Sequence, residues 1–331
     1  EISIGDTIAD PISPEALPAI SIDEPTLTIT IGVNTSPFAG REGNAITARQ
    51  LYARLTREIK TNVSLHVETT NNPSEFKVSG RGELHLGVLL ETLRREGNEI
   101  QASRPQAIVK TDSGQAMEPY EMLFIDTDKK YIGALTENLA KRMAKMDNLI
   151  NDEHGNVHLE FKISTRGLIG FHNFFLKMVH GDGVMNTEFL GYEPIIGELQ
   201  STRTGALVAS EDGVAVTYGL GNAQERGITF IEPGTQVYEG MVIGTHQREK
   251  DIVVNVCKEK KQTNIRSSTS DIAVRLTPPT VMNLEESLDF IVTDELVEIT
   301  PSAIRIRKKL LNMDMRRKET RDEAKSLASN T

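Results

Sequence analysis

Several features that define whole classes of protein are missing from this sequence of 331 residues. Its one cysteine, Cys257, excludes an intrachain disulfide and is typical of a reducing cytosol. No apolar run approaches the roughly 20 residues of a membrane span, and no signal peptide opens the chain. We therefore expect a cytoplasmic protein that has no membrane partner.

The motifs of common catalytic and nucleotide sites are also missing. There is no Gly-x-x-x-x-Gly-Lys-Ser/Thr loop to hold a nucleotide phosphate, and no Gly-x-Ser-x-Gly nucleophile elbow. His154 and His158 have a spacing seen in metal sites, but they flank a Gly-Asn turn and have no cysteine partners. The sequence predicts no catalytic residue, no metal site and no cofactor-binding residue in this chain.

The composition is that of an ordinary globular protein, with 38% hydrophobic and 25% charged residues. The length suits two or three domains. The net charge of −10 argues against a wholly basic nucleic-acid binder, although a local basic patch can still bind RNA. The chain begins with Glu1 rather than Met, so we expect a piece of a longer protein, and we expect a monomer.

One stretch, residues 79–97, is typical of a strand end, a tight turn and an amphipathic helix. Gly80 and Gly82 allow the backbone to turn sharply, and Gly97 is placed to end the helix. Leucines fall on one helical face, at Leu86, Leu89, Leu90 and Leu93. The alternative is an unremarkable strand-turn-helix unit with glycine at its bend.

A second copy of this pattern follows 85 residues later, where residues 164–167 match residues 79–82 at serine, arginine and glycine. Upstream, each copy has an alternating strand, a helix and a hairpin. We therefore predict an α+β protein with two successive ferredoxin-like β-α-β-β-α-β units, residues 21–108 and 109–195, with Arg81 and Arg166 in equivalent turns. The predicted first helix of the second copy carries Ile132, Leu135, Leu139, Met143 and Met146.

The loop at residues 34–43 is about ten residues longer than its counterpart in the second copy, and loops often carry function. From about residue 196 the pattern changes to short apolar strands and glycine-rich turns, which predicts a mostly β, barrel-like region. Two short helices follow. Asn283 caps the first, and Thr300 and Pro301 start the second, which carries Ile304, Ile306 and Leu310.

Two groups of cations suggest contact with RNA. In the first, Lys258, Lys260, Lys261 and Arg266 crowd one polar loop, where we predict that they bind phosphates. Asn264 would add a hydrogen bond to a sugar or a base. The alternative is a solvated hairpin tip.

The second group is a basic tail from Arg305, in which residues 305–321 contain eight cations and two acids. Its first four cations are candidate RNA contacts, namely Arg305, Arg307, Lys308 and Lys309. The alternative is a solvated tail whose charges pair with the acidic stretch at residues 285–298.

Several of these motifs resemble those of translational GTPases. Residues 80–86 resemble the Gly-x-Gly-Glu-Leu-His-Leu motif in the third domain of elongation factor G. Residues 165–171, 237–240, 261–266 and 294–301 are similar to motifs of the BipA (also called TypA) family. The resemblance covers nearly all of the chain.

This resemblance implies a domain plan. The two repeats would correspond to the third and fifth domains of elongation factor G, with no room for the fourth, as in LepA and BipA. Residues 1–20 would end a preceding β-barrel domain and form a linker, and residues 196–331 would form a BipA-type C-terminal domain with a basic tail. GTP and magnesium would belong to a GTP-binding domain that this chain lacks, so the chain itself would be no enzyme although its parent would be a GTPase.

The resemblance also implies partners. BipA proteins are expected to occupy the factor site of the ribosome, to contact rRNA, the A-site tRNA and ribosomal proteins, and to act in large-subunit assembly and in stress or cold adaptation. Two alternatives remain open. One is a fragment of a LepA-like elongation factor, and the other is a structural or interaction protein that does not bind ribosomes.

Overall fold

In a computed structural model, the described residues are 4, 7–18, 24–152, 155–199, 203–259 and 275–329. The expected mixture of helices and sheets is confirmed, with a sheet of 12 strands, a sheet of five and a strand pair. Residues 7–18 contain neither helix nor strand and are exposed. No helix in the described ranges has both the length and the apolarity that crossing a bilayer requires.

The first unit has the elements that its apolar periodicity predicts. Thr47 and Gln50 form a capping box at the start of its first helix, and a left-handed Gly97 (φ +87°) reverses the chain after its second. Its main strands lie in the order β5-β1-β4-β3, all antiparallel. The elements are β1 (Leu27–Val33), β2 (Asn44–Ala45), α1 (Ala48–Thr61), β3 (His66–Thr69), β4 (Glu75–Gly80), α2 (Glu83–Arg95), β5 (Asn98–Ser103) and β6 (Gln106–Ala107).

The second unit repeats this element order in a separate sheet, with main strands in the order β11-β8-β10-β9. Buried phenylalanines from one strand and one helix, Phe161, Phe171 and Phe175, fill its core. The elements are β7 (Lys110–Asp112), β8 (Gln115–Asp128), α3 (Ile132–Lys141), β9 (Lys145–Asn151), β10 (Asn156–Ser164), α4 (Thr165–Leu168), α5 (Phe171–Val179) and β11 (Gly183–Pro194).

Two local expectations for the second unit are wrong. Helix α3 ends at Lys141, because Met143 takes a left-handed conformation (φ 62°) and Met146 lies in the exposed edge strand β9. Arg81 lies in a bend directly before α2, whereas Arg166 lies inside the one-turn helix α4 that precedes α5. The two arginines therefore occupy the same place in the element order but different local structures.

The C-terminal region joins the sheet of the first unit. Strand β18 pairs with β5, so that Val297 lies opposite Ala102 and Ile299 opposite Ile100. The elements are β12 (Ala206–Ala209), β13 (Gly213–Val214), α6 (Thr217–Gln224), β14 (Gly227–Thr229), β15 (Gln236–Val237), β16 (Met241–His246), β17 (Ile252–Val254), α7 (Leu284–Phe290), β18 (Glu295–Ile299), β19 (Ile304–Lys308) and α8 (Met313–Ser329).

The elements of the C-terminal region differ in part from those that the sequence predicts. The capping box of Asn283 and Glu286 at the start of α7 is confirmed. The expected helix after Thr300 is instead strand β19, and helix α6 was not expected. Within the described residues, the strands run β17-β12-β16-β19-β18 into β5 of the first unit, instead of closing as a separate barrel.

The long loop at residues 34–43 holds the C-terminal region to the first unit. The carboxylate of Glu99 accepts hydrogen bonds from the backbone N–H groups of Gly40 (2.6 Å) and Gly43 (2.7 Å). The hydroxyl of Ser36 donates to buried Glu298 of β18 at 2.7 Å. Phe38 packs edge-on against Tyr238, with ring centroids 5.0 Å apart. This loop is therefore part of the packed junction.

The second unit docks where the two copies of the repeated motif meet. The carboxylate of Glu83, at the start of α2, accepts a hydrogen bond of 2.7 Å from the backbone N–H of Gly170. Beside it, the side chain of Asn173 donates to Asp289 of α7. The guanidinium of Arg142 donates to the backbone carbonyls of Gly167 and Ile169, which lie just before Gly170.

This contact encloses two neighbouring carboxyl groups. Burial and the charge of Asp289 raise the pKa of the Glu83 carboxyl to about 8, although the hydrogen bond from Gly170 and the charge of Arg142 favour the ionised form. Burial also raises the pKa of Asp289. A carboxyl whose pKa is higher in the folded state stabilises the fold most at low pH, and this stabilisation is lost as the pH rises through the folded pKa.

We therefore expect Glu83→Gln, which keeps the acceptor oxygen, to alter how stability depends on pH. Between pH 5 and pH 8 the free energy of unfolding of the wild type should fall relative to that of the variant, by roughly 1–3 kcal/mol. Urea unfolding at several pH values measures this difference. The exposed Glu188→Gln is the control and should parallel the wild type. A constant offset between Glu83→Gln and the wild type would contradict the prediction.

Candidate nucleic-acid interface

Three of the predicted phosphate contacts lie inside the protein. Strand β19 pairs with β16 on one side and with β18 on the other, so it is an inner strand of the sheet. Glu298 lies opposite Arg305, and Glu295 lies opposite Lys308. These two cations are therefore paired with the acidic stretch, which is the alternative interpretation of the tail.

Each buried cation is held by several acceptors. Arg305 pairs with Glu42 and with Glu298 (3.3 Å), and Arg307 donates to Thr35 (2.7 Å) and Gln101 (2.5 Å). Their side chains point into the junction of the first unit and the C-terminal region. The prediction that Arg305 and Arg307 bind RNA is wrong for this conformation, because an RNA phosphate has no access to these paired, buried groups.

The environment of Lys308 is the most acidic of the three. Its ammonium, with only 2% of the side chain exposed, contacts Asp251, Asp294 (2.8 Å) and Glu295 (2.9 Å). Burial alone would lower the pKa of this ammonium, but the surrounding carboxylates raise it above its usual value. Glu295 is itself fully buried and also pairs with Arg203 at 2.9 Å. Lys308 is thus part of the structural core, and its predicted role as an RNA contact is also corrected.

Lys308 and its neighbour Lys309 offer a matched comparison, since Lys309 is exposed at the end of β19. Lys308→Met should lower the free energy of unfolding by roughly 3–5 kcal/mol, because it removes a buried cation that pairs with three carboxylates and leaves buried Glu295 with Arg203 alone. Lys309→Met should change it by less than about 0.5 kcal/mol. Denaturant unfolding of both variants tests the assignment. Equal, small effects would show that Lys308 is not a structural cation.

The structure leaves two predicted contacts at the surface. Lys258 is exposed just after β17, and Lys309 is exposed after β19. The remaining candidates, Lys260, Lys261, Asn264 and Arg266, lie outside the described residues. Within the described ranges, no group of three or more His, Cys, Asp or Glu side chains is arranged to hold a metal ion.

Helix α6 anchors both ends of the predicted RNA-binding loop. At the start of α6, the N–H of Val216 donates to the carbonyl of buried Val256 at 2.9 Å. At its end, the Gln224 amide exchanges two hydrogen bonds with the backbone of Thr277, of 2.8 and 2.9 Å. A Cβ on Gly219 would lie 2.3 Å from the Val256 carbonyl oxygen, so glycine permits this close packing. The chain thus leaves the core at one end of α6 and returns at the other.

Comparison of the sequence with known proteins identifies its relatives. The model of the "TypA/BipA C-terminal domain" matches residues 204–313, and that of the "Elongation factor G C-terminus" matches residues 115–203. A protein of Synechocystis named "Large ribosomal subunit assembly factor BipA" is 50% identical over 308 residues, which are 93% of this chain and 52% of that protein. The chain belongs to the BipA/TypA family.

Other members of the BipA family have similar identities. Proteins of the same name from Bacillus subtilis and Haemophilus influenzae are 45% and 46% identical, over 96% and 97% of this chain. The chain spans about half the length of the curated relatives it matches, 52% in each of these two. The matched BipA C-terminal segment contains β12 to β19 with helices α6 and α7, and it ends at the first residue of α8.

Sequence reasoning missed the residues that organise this interface. The eight residues of α6 contain Gly219 and Gly221 and have no long apolar stripe, so they show little helical signal. Gln224 is recognisable only from its contacts with Thr277, which lies 53 residues away. The opposite charges of residues 285–298 and 305–308 were a usable signal, because they suit antiparallel pairing.

Proposed function

We propose that this chain is the ribosome-binding, C-terminal part of a BipA-type translational GTPase that takes part in large-subunit assembly. The membership of the BipA family carries this proposal, since the curated relatives are named as assembly factors of the large ribosomal subunit. The two β-α-β-β-α-β units would be ferredoxin-like domains corresponding to the third and fifth domains of elongation factor G. The protein would act in the cytoplasm, in contact with rRNA, the A-site tRNA and ribosomal proteins.

In this proposal the chain contributes binding and no chemistry of its own. GTP and magnesium would be held by the parts of the longer relatives that this chain does not match. A role in stress or cold adaptation is an expectation from the family resemblance. A fragment of a LepA-like factor would also bind ribosomes. A structural or interaction protein that is not ribosomal would not bind them.

The loop held by α6 is the proposed RNA contact. Lys258 is exposed at its start, and sequence places Lys260, Lys261 and Arg266 further along it, with Asn264 as a donor to a sugar or base. Helix α6 holds the described residues on either side of this loop, Val256 and Thr277. Because such cations displace counterions from RNA, binding should weaken steeply as salt concentration rises.

Changing Lys260, Lys261 and Arg266 together to Ala should weaken ribosome binding and reduce its salt dependence. Each lost phosphate contact removes roughly 0.7–0.9 from the slope of log affinity against log salt. The melting temperature should stay nearly constant if these side chains are exposed. Sedimentation with purified ribosomes at several salt concentrations measures both effects, with Arg49→Ala, Arg57→Ala and Lys129→Ala as a control of equal charge. Unchanged affinity and slope would remove this loop as the RNA contact.

A further inference from the structure

Among the side chains of helix α8 that the structure describes, those of the first turn hold it to the rest of the protein. The backbone N–H of Met313 donates to a Glu239 carboxylate oxygen at 2.9 Å. The guanidinium of Arg316 donates to the carbonyls of Leu310 (2.8 Å) and Leu311. The start of the helix therefore has a set position beside the end of β19.

Beyond this anchor, the described side chains of the helix face solvent. Every described side chain from residue 317 to 322 is exposed, and so is Lys325. A surface helix of a globular protein normally buries an apolar stripe, and packing of that stripe supplies most of its stability. Residues 317–322 have the sequence Arg-Lys-Glu-Thr-Arg-Asp, with no apolar residue among them. This part of the helix therefore gains little from packing against the rest of the chain.

The charges of α8 are separated onto two faces. At 100° per residue, Arg317, Arg321 and Lys325 follow one another along one face, and Lys318 lies beside them. Glu319 lies on the opposite side of the helix, and Asp322 lies at the edge of the row, beside Lys318 and Lys325. Among the side chains that the structure describes, the carboxylate that forms an ion pair with the row is that of Asp314, 4.0 Å from Arg317.

We propose that this basic face of α8 is a second RNA-binding surface, which docks along a phosphate backbone. The row spans about 12 Å from Arg317 to Lys325, at 1.5 Å per residue. A membrane surface does not suit it, because interfacial helices need an apolar face opposite their cations. RNA suits it because phosphates attract lysine and arginine without needing apolar contacts. The inference rests on the proposed ribosomal function but uses a different element from the α6 loop.

Two variants test the surface. Arg317→Gln, Arg321→Gln and Lys325→Gln together remove three charges while keeping good helix formers. The second variant exchanges Arg321 with Glu319, so composition and net charge stay the same while a carboxylate interrupts the middle of the basic row. Binding to a 20-nucleotide oligouridylate and to purified large ribosomal subunits is measured over a range of salt concentrations. Far-UV circular dichroism verifies that helix content is unchanged.

The Gln variant should lower the slope of log affinity against log salt by about 2, since each contact with single-stranded RNA contributes roughly 0.7. The exchange variant should also bind more weakly, by at least about tenfold at low salt. A control of Arg226→Gln, Arg248→Gln and Lys250→Gln, three exposed cations elsewhere, should leave the slope unchanged.

Other outcomes overturn the inference. If both α8 variants bind RNA and subunits as the wild type does, the basic face is not an RNA contact. The proposed function is then still supported, provided that the wild type binds ribosomes. If RNA binding is unchanged but binding of polyglutamate falls, the partner is an acidic protein surface. If the wild-type chain binds neither RNA nor ribosomes, both the inference and the proposed function are wrong.

Discussion

The architecture depends on the pairing of β5 with β18, which joins two parts of the chain that lie almost 200 residues apart. This pairing buries Ile100 and Ile299 in a common core and merges the first unit and the C-terminal region into one sheet. The second unit is then an insertion, which leaves the large sheet after β6 and returns before β12. Its contacts through Glu83 and Asp289 dock it without adding a strand to that sheet.

The same junction contains buried carboxylates that pair with cations of β19. Glu298 is fully buried and accepts hydrogen bonds from Ser36 and from the hydroxyl of Tyr238 at 2.8 Å. Its charge, like that of Glu295, requires cationic partners from β19, since an unpaired buried carboxylate is costly. Arg305 and Lys308, at the start of the basic tail, are these partners. These cations are therefore part of the packed junction, whereas the described cations of α8 from Arg317 onward are exposed.

Local patterns predicted the elements whose packing is also local. The apolar faces of α1 and α2, the hairpin of β3 and β4, and the capping box at Asn283 could all be derived from periodicity and cap chemistry. The element order of the second unit followed from its similarity to the first. These features depend on residues within a few turns of one another.

Features decided by distant partners could not be derived in this way. Ile304 and Ile306 fit a helix after Thr300 and Pro301, and only pairing with β16 and β18 makes them a strand. Burial of Arg305 and Lys308 depends on the same pairing. The role of the loop at residues 34–43 depends on Glu99 and Glu298, which no local pattern connects to it. The sequence shows how many cations this segment contains, but it does not show which of them are buried.

The pairing of β5 with β18 should make the first unit and the C-terminal region unfold as one cooperative structure. Native-state hydrogen exchange of backbone amides measures this, because it reports the free energy at which each segment opens. We expect the amides of β5, β18 and β19 to exchange with the same free energy, equal to that of global unfolding. Exchange of β18 and β19 through an opening of clearly lower free energy, while β5 remains protected, would show that the two parts unfold separately.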